Sequence, residues 1–104
     1  MGLPLGAQER RGDERRGCIA PAVLVPGDAQ GLLDEEARRD GIALDVSEGG
    51  MRVLSRSLGD VPFIEVRIPR ADDDWIVLRG QVVRYRELAR GYREFGLRLL
   101  DPAT

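Results

Sequence analysis

Short apolar segments, each bounded by residues that favour turns, make up most of this chain and limit what it can fold into. The clearest of them is Phe63-Ile64-Glu65-Val66-Arg67-Ile68, in which apolar and charged side chains alternate. Successive side chains of a strand point to opposite faces, so this alternation predicts a strand with one buried face. The chain therefore has to build its core mainly from β-strands.

About six such segments follow one another at a spacing of roughly 8–12 residues, which is typical of an antiparallel barrel or sandwich. Pro21 in the first segment suggests an edge position or a bend, and Gly80 in the fifth suggests a bulge or a sharp bend. A barrel leaves no exposed strand edge, which favours it for so small an all-β protein. Residues 31–39 are expected to form at most a short helix.

Composition bounds the class of protein. The 104 residues suffice for one small domain, and the net charge of −2 gives no general attraction to nucleic acid or acidic membranes. Cys18 is the only cysteine and histidine is absent, which excludes an internal disulfide, the usual zinc sites and histidine-dependent nucleophiles. No apolar run approaches the ~20 residues that span a bilayer. We expect a cytoplasmic, non-enzymatic protein without membrane insertion.

The N-terminal residues are poor in apolar side chains and rich in arginine. We interpret residues 1–17 as a flexible arm, residues 18–101 as the barrel domain and residues 102–104 as a tail. The arm carries the spacing Arg-x-x-x-Arg at Arg11 and Arg15, with Arg10 just before it. The planar guanidinium fork suits phosphates and guanine edges, although a charge run taken alone is more often a solvated surface.

A second polar motif lies between two strand-like segments. Asp45 and Ser47 fall on one side of an extended chain, and Gly49 and Gly50 follow them. A carboxylate can accept from the N–H groups of a guanine, and glycines allow the backbone to turn tightly or approach a ligand. Taken alone, the motif is also typical of a plain turn in which glycine supplies a positive φ.

The two motifs together, Arg-x-x-x-Arg and then Asp-x-Ser-x-x-Gly with residues 16–44 between them, resemble the PilZ domain family, the bacterial receptors for cyclic di-GMP. The final segment Phe95-Gly96-Leu97-Arg98-Leu99 is similar to the last barrel strand of that family. The resemblance implies a six-stranded antiparallel split barrel, with an arm that folds over bound ligand.

The resemblance also assigns roles to residues. Arg11 and Arg15 would contact phosphate and the O6/N7 edge of guanine, Asp45 and Ser47 would hold a guanine edge, and Gly50 would shape the loop. Three further positions complete the predicted cyclic di-GMP site: Arg10, which would contact a second stacked ligand, Gly49 and Arg98. On this basis Asp45→Ala is expected to weaken binding with little change in melting temperature.

The resemblance favours a cyclic di-GMP receptor that relays the signal to a protein partner or to an associated output domain, with no other cofactor. The alternative within the family is an interaction domain that does not bind the nucleotide. An unrelated barrel that binds single-stranded nucleic acid is disfavoured, because the chain has few aromatics and a slightly acidic balance. No metal is expected: Asp72-Asp73-Asp74 is better explained as a solvated loop, since adjacent residues cannot all face one ion without a special turn.

Overall fold

The computed structural model describes residues 16–100, and side chains from Ile19 onward. Six strands account for most of this part of the chain: β1 (Arg16–Gly27), β2 (Arg39–Val46), β3 (Gly50–Arg56), β4 (Phe63–Pro69), β5 (Trp75–Glu87) and β6 (Tyr92–Leu99). Three single 3-10 turns, Glu35–Ala37, Ala71–Asp73 and Ala89–Gly91, lie in the connections.

The strands form a closed antiparallel barrel in the order β1-β2-β3-β6-β5-β4. Closure comes from the pairing of β1 with both β2 and β4, so every strand has two neighbours. The prediction of a six-stranded antiparallel barrel is confirmed. The predicted short helix in residues 31–39 is the 3-10 turn Glu35–Ala37, whose first residue is preceded by Asp34; the Asp34 side chain accepts a hydrogen bond from the backbone N–H of Glu36.

Alternating side chains from the strands fill the barrel. Ile64, Val66 and Phe95 are fully buried, as the alternation in β4 and β6 predicts. The core consists of Ala22, Leu24, Ala43, Met51, Val53, Leu58, Ile64, Val66, Phe95 and Leu97. Glu65, on the other face of β4, is only 3% exposed, because Arg67 and Arg79 cover its carboxylate from either side. Ion pairs thus cover part of the outer surface of this barrel.

Two details of the strands differ from expectation. β1 begins at Arg16, two residues before the segment that the apolar pattern marks. The bulge in β5 lies between Val82 and Arg84, and Gly80 itself is paired in register with Ile64. Gly80 is instead a point of close approach, since an added Cβ would lie 2.8 Å from the Cβ of Leu97. The fifth strand needs glycine there for space and not for a bend.

The connections between the strands within residues 16–100 bear on the expectations about metal binding and membrane spans. Asp72 and Asp73 both have positive φ, at 65° and 60°, in the turn before β5. Within residues 16–100 no group of acidic or cysteine side chains is arranged to hold a metal ion. The same residues include no helix long and apolar enough to cross a membrane.

Candidate functional site

A β-bulge decides which way Asp45 faces. Ala43 pairs with Val53 and both are fully buried, whereas Asp45 pairs with Arg52, so β2 carries one extra residue between the two pairs. Strict alternation would place Asp45 on the same inner face as Ala43. The bulge instead turns Asp45 to the outer face, where Arg52 lies between the inward-facing Met51 and Val53.

Asp45 belongs to a network of ion pairs on that outer face. Its Oδ2 atom lies 2.8 Å from Nε and 2.6 Å from Nη2 of Arg52. Arg52 also reaches Glu94, with 2.5 Å between Nη1 and Oε2, and the other Glu94 oxygen lies 2.6 Å from Nη2 of Arg86. Asp45 and Glu94 are buried, at 6% and 8% exposure, while Arg86 is largely exposed. Two buried carboxylates, on β2 and β6, are therefore held by arginines of β3 and β5.

The network shifts the pKa of two of its members, Arg52 and Glu94. The hydrogen bonds that Arg52 donates to Asp45 and then to Glu94 raise the pKa of its guanidinium above the ordinary value. The hydrogen bond from Arg86, and after it the one from Arg52, lowers the pKa of the Glu94 carboxyl although burial opposes this shift. Arg52 and Glu94 are consequently charged at neutral pH.

A pocket of about 260 Å³ opens beside the network, above Gly96. Gly96 pairs with Arg52 on one side and with Arg84 on the other, so the row Asp45, Arg52, Gly96, Arg84 runs across four strands. A Cβ at Gly96 would lie 3.2 Å from Nε of Arg84, so the side chain of Arg84 folds over the space that glycine leaves open. Tyr85 completes the lining. The pocket thus combines cations, one carboxylate and an aromatic ring.

The loop Ser47–Gly50 closes the hairpin between β2 and β3. The backbone N–H of Ser47 donates to the Gly50 carbonyl at 2.7 Å, and its hydroxyl lies 3.3 Å from the same oxygen. The Gly49 carbonyl accepts from the N–H of Leu99 at 2.9 Å, which ties the loop to β6. Neither glycine has a positive φ, in contrast to what a plain glycine turn predicts. An added Cβ at Gly49 would have no neighbour within 4 Å, so that glycine leaves open surface.

Arg98 lies next to this loop. Its backbone pairs with Gly50 on β3 and with Gln81 on β5. Its exposed side chain donates to Oε1 of Gln81 at 2.8 Å. The structure thus brings Arg98, Gly49 and Gly50 together at the same end of the barrel, a few residues along the strands from the Asp45 network.

The three predicted arginines Arg10, Arg11 and Arg15 lie outside the described residues. The strand that follows them is described: Arg16 pairs with Val46, and Gly17 pairs with Asp45. The residues that come directly after the Arg-x-x-x-Arg motif therefore run alongside the Asp-x-Ser motif.

Four side chains near Asp45 were missed from the sequence as site candidates: Arg52, Arg84, Arg86 and Glu94. The sequence does indicate the direction of Arg52: it is flanked by the apolar residues Met51 and Val53, so in a strand it must face outward. No such indication exists for the others, since their placement depends on the pairing of β6 with β3 and β5 and on the bulge in β5.

Comparison of the sequence with known proteins identifies the family to which the chain belongs. None of the curated proteins compared with the chain matches its sequence. The model of the PilZ domain matches residues 9–104, which include both motifs and the final strand with Gly96. PilZ domains are a family of cyclic di-GMP receptors and are generally binding domains without enzymatic activity. This chain, nearly all of which is matched, belongs to the PilZ domain family.

Proposed function

We propose that this protein is a non-enzymatic receptor for cyclic di-GMP, whose N-terminal arm closes over the ligand. The observation that carries the proposal is the pairing of Arg16 with Val46 and of Gly17 with Asp45. It means that Arg15 and Arg11 are joined to a strand that already lies beside Asp45. The arm can therefore deliver arginines to a ligand at this site without a long connecting loop.

The chemistry of the site suits a cyclic dinucleotide. Arginine binds phosphate and the O6/N7 edge of guanine through paired N–H groups, and a carboxylate accepts from the N–H groups on the opposite edge. We assign the first role to Arg11 and Arg15 and the second to Asp45 with Ser47. Arg52 holds the carboxylate of Asp45 through Oδ2 and so fixes its orientation. The pair then acts as one unit in guanine recognition.

The pocket above Gly96 extends the site. Arg52 and Arg84 flank it and Arg86 lies at its rim, so a negatively charged or π-rich group placed there meets several cations. We propose that part of the ligand, a guanine ring or a phosphate, lies over Gly96. Arg98, Gly49 and Gly50 would form the lower boundary of the same site, and Arg10 would contact a second ligand molecule.

Binding requires a local rearrangement, because Asp45 is only 6% exposed. A guanine edge reaches this carboxylate when groups around it move. We propose that this movement accompanies closure of the arm, which alters the surface shown to a protein partner or an associated output domain. Since cyclic di-GMP is an intracellular messenger, we also propose a cytoplasmic bacterial setting.

One observation favours a second candidate function, an interaction domain that does not bind the nucleotide. Asp45 is buried and already holds an ion pair with Arg52, which is the arrangement of a structural carboxylate. In this case the arginines of the arm would serve protein contacts, and partner binding would be insensitive to cyclic di-GMP.

Isothermal titration with cyclic di-GMP separates the two functions. We expect saturable heat with the native chain and an affinity weaker by roughly 5- to 150-fold for Arg11→Ala and Arg15→Ala, because a bidentate arginine–guanine contact is worth about 1–3 kcal/mol. Arg70→Ala, an exposed arginine in the turn before β5, is the matched control and should bind normally. Absence of heat at tens of micromolar protein, or unchanged affinity in both arm variants, contradicts the receptor function. The fitted stoichiometry tells one ligand from a stacked pair.

A further inference from the structure

A second cleft, of about 630 Å³, lies away from the Asp45 network. It is formed by the segment that follows β3 and by the hairpin that joins β5 to β6, and we call it the hairpin cleft. Arg56, Leu58, Glu87, Leu88, Arg90 and Tyr92 line it. Arg56 is at the end of β3 opposite Gly50, roughly 20 Å away at the rise of an extended strand. The volume is within the usual range of ligand pockets, ~300–1,000 Å³.

The walls of the hairpin cleft hold strained backbone. Ser57 and Arg90 have φ values of 72° and 65°, in the left-handed region that non-glycine residues rarely occupy. The N–H of Leu88 donates to the Tyr92 carbonyl at 2.8 Å and closes the hairpin around Arg90. Such conformations persist where the surrounding structure enforces them, and they concentrate at binding sites. The hairpin cleft is therefore bounded by two residues in uncommon backbone conformations.

Among the arginines of the hairpin cleft, one forms ion pairs with carboxylates of the described residues and two do not. Arg93, at its edge, bonds Asp60 at 2.9 Å and Glu87 at 3.0 Å. Within residues 16–100, Arg56 and Arg90 have no carboxylate partner, and the Arg56 guanidinium lies 5.4 Å from the ring centre of Tyr92. Two exposed cations thus line a cleft of a chain whose net charge is −2. This excess of positive charge selects for an anionic group.

Apolar groups line the hairpin cleft together with these cations. Leu88 is 40% exposed, and Leu58 is buried at 4% on the cleft wall. A bound segment that places a carboxylate against each arginine and an apolar side chain against Leu88 would match both properties of the surface.

We propose that the hairpin cleft docks a short acidic segment of a partner protein, in which Asp or Glu residues bracket an apolar side chain. A single-stranded nucleic acid fits the surface less well. Proteins bind single-stranded nucleic acid by stacking its bases on aromatic rings, and Tyr92, the aromatic ring of the cleft, is already covered by Arg56. The cleft is separate from the proposed nucleotide site, and the docking does not depend on nucleotide binding.

Fluorescence polarisation on the full chain, without nucleotide, tests the proposal. The probe is a labelled synthetic peptide in which Glu and Asp alternate with leucine, and its control is the same peptide with Gln and Asn. We expect saturable binding of the acidic peptide, at least tenfold weaker binding of the neutral one, and loss of affinity at high salt. Arg56→Gln/Arg90→Gln should weaken binding at least tenfold. Arg38→Gln/Arg70→Gln, which removes the same charge from exposed arginines elsewhere, should have little effect.

Four results with these probes and variants would overturn the proposal. These are failure of the acidic peptide to bind, equal binding of the neutral peptide, equal loss in the two double variants, and tighter binding of a single-stranded oligonucleotide that the Arg56/Arg90 variant abolishes. The native chain could instead form a dimer as its concentration rises, and both Arg56→Gln and Asp72→Asn could abolish that dimer. Such a result would show that the cleft binds a second copy of the chain, and it would also overturn the proposal.

Two further measurements keep the result interpretable. If melting shows that the double variant is unfolded, two single variants replace it: Arg56→Gln and Leu88→Ser. Both native side chains are exposed, and each variant should weaken binding of the acidic peptide. Titration of the double variant with cyclic di-GMP should give unchanged affinity. Peptide binding that fails while cyclic di-GMP still binds overturns the docking proposal alone, and the converse overturns the receptor function alone.

Discussion

Arg52 holds one oxygen of the Asp45 carboxylate with two nitrogens, Nε at 2.8 Å and Nη2 at 2.6 Å. The pair joins β2 to β3 at the position where the bulge turns Asp45 outward. Asp45 is therefore both a proposed ligand residue and a structural one. The expectation from sequence, that Asp45→Ala changes binding but hardly changes stability, has to be revised: we now expect both to fall.

A double-mutant cycle measures this pair. Asp45→Asn and Arg52→Gln should each lower the free energy of unfolding, with a coupling of about 0.5–3 kcal/mol, because the residues are in contact and the carboxylate is buried. The control cycle, Arg70→Gln with Asp74→Asn, concerns an exposed pair 3.8 Å apart and should give about 0–1 kcal/mol. Chemical denaturation of the single and double variants supplies the values. Equal coupling in both cycles would mean that burial adds nothing to the Asp45–Arg52 pair.

Glu94 should contribute to stability in a pH-dependent way. Its pKa is lowered below the ordinary value of 4.5, first by the hydrogen bond from Arg86. A carboxyl whose pKa is lower in the folded state stabilises the fold above its unfolded pKa and loses this contribution as pH falls through the folded value. The stability difference between the native chain and Glu94→Gln should therefore be largest near neutral pH and shrink in acid. Denaturation curves at several pH values check this, and a difference that grows in acid would contradict it.

Gly49→Ala distinguishes a ligand contact from a structural glycine. An added Cβ at Gly49 has no neighbour within 4 Å and its φ is not positive, so stability should change by less than about 0.5 kcal/mol. If the ligand approaches this backbone closely, affinity for cyclic di-GMP should fall several-fold. Gly59→Ala has equally open surroundings near the hairpin cleft and is the matched control. Unchanged affinity in Gly49→Ala would remove this residue from the site.

Gly41→Ala should be strongly destabilising for a steric reason. Its Cβ would lie 2.6 Å from Cδ1 of Leu24 and 2.7 Å from the backbone oxygen of Leu54. Leu24 is fully buried and cannot move freely, so we expect a loss of about 1–3 kcal/mol or more. Thermal or chemical denaturation beside Gly59→Ala, which should be nearly neutral, gives the comparison. A melting temperature equal to that of the native chain would show that β1 and β2 can separate at this point.

The apolar pattern alone is enough to predict the number of strands and the buried faces of β4 and β6. The alternation at Ile64 and Val66 and at Phe95 and Leu97 reports directly which side chains leave water, because burial of apolar surface dominates folding. The order of the Arg and Asp-x-Ser motifs was also enough to indicate the family, which the match to residues 9–104 confirmed. These are properties of local pattern and spacing, and they can be read without knowing which strands are neighbours.

The surroundings of Asp45 depend on strand pairing, which the sequence pattern does not reveal. The bulge after Ala43 reverses the face on which this residue lies, and the pairing of β3 with β6 brings Glu94 to Arg52 over a separation of 42 residues. The second bulge, at Val83, likewise sets Arg84 opposite Gly96. One inserted residue changes every side-chain direction beyond it, and a period-two pattern does not predict where the insertion falls. The candidate site depends on these registers, whereas the core depends on the alternation that the sequence already displays.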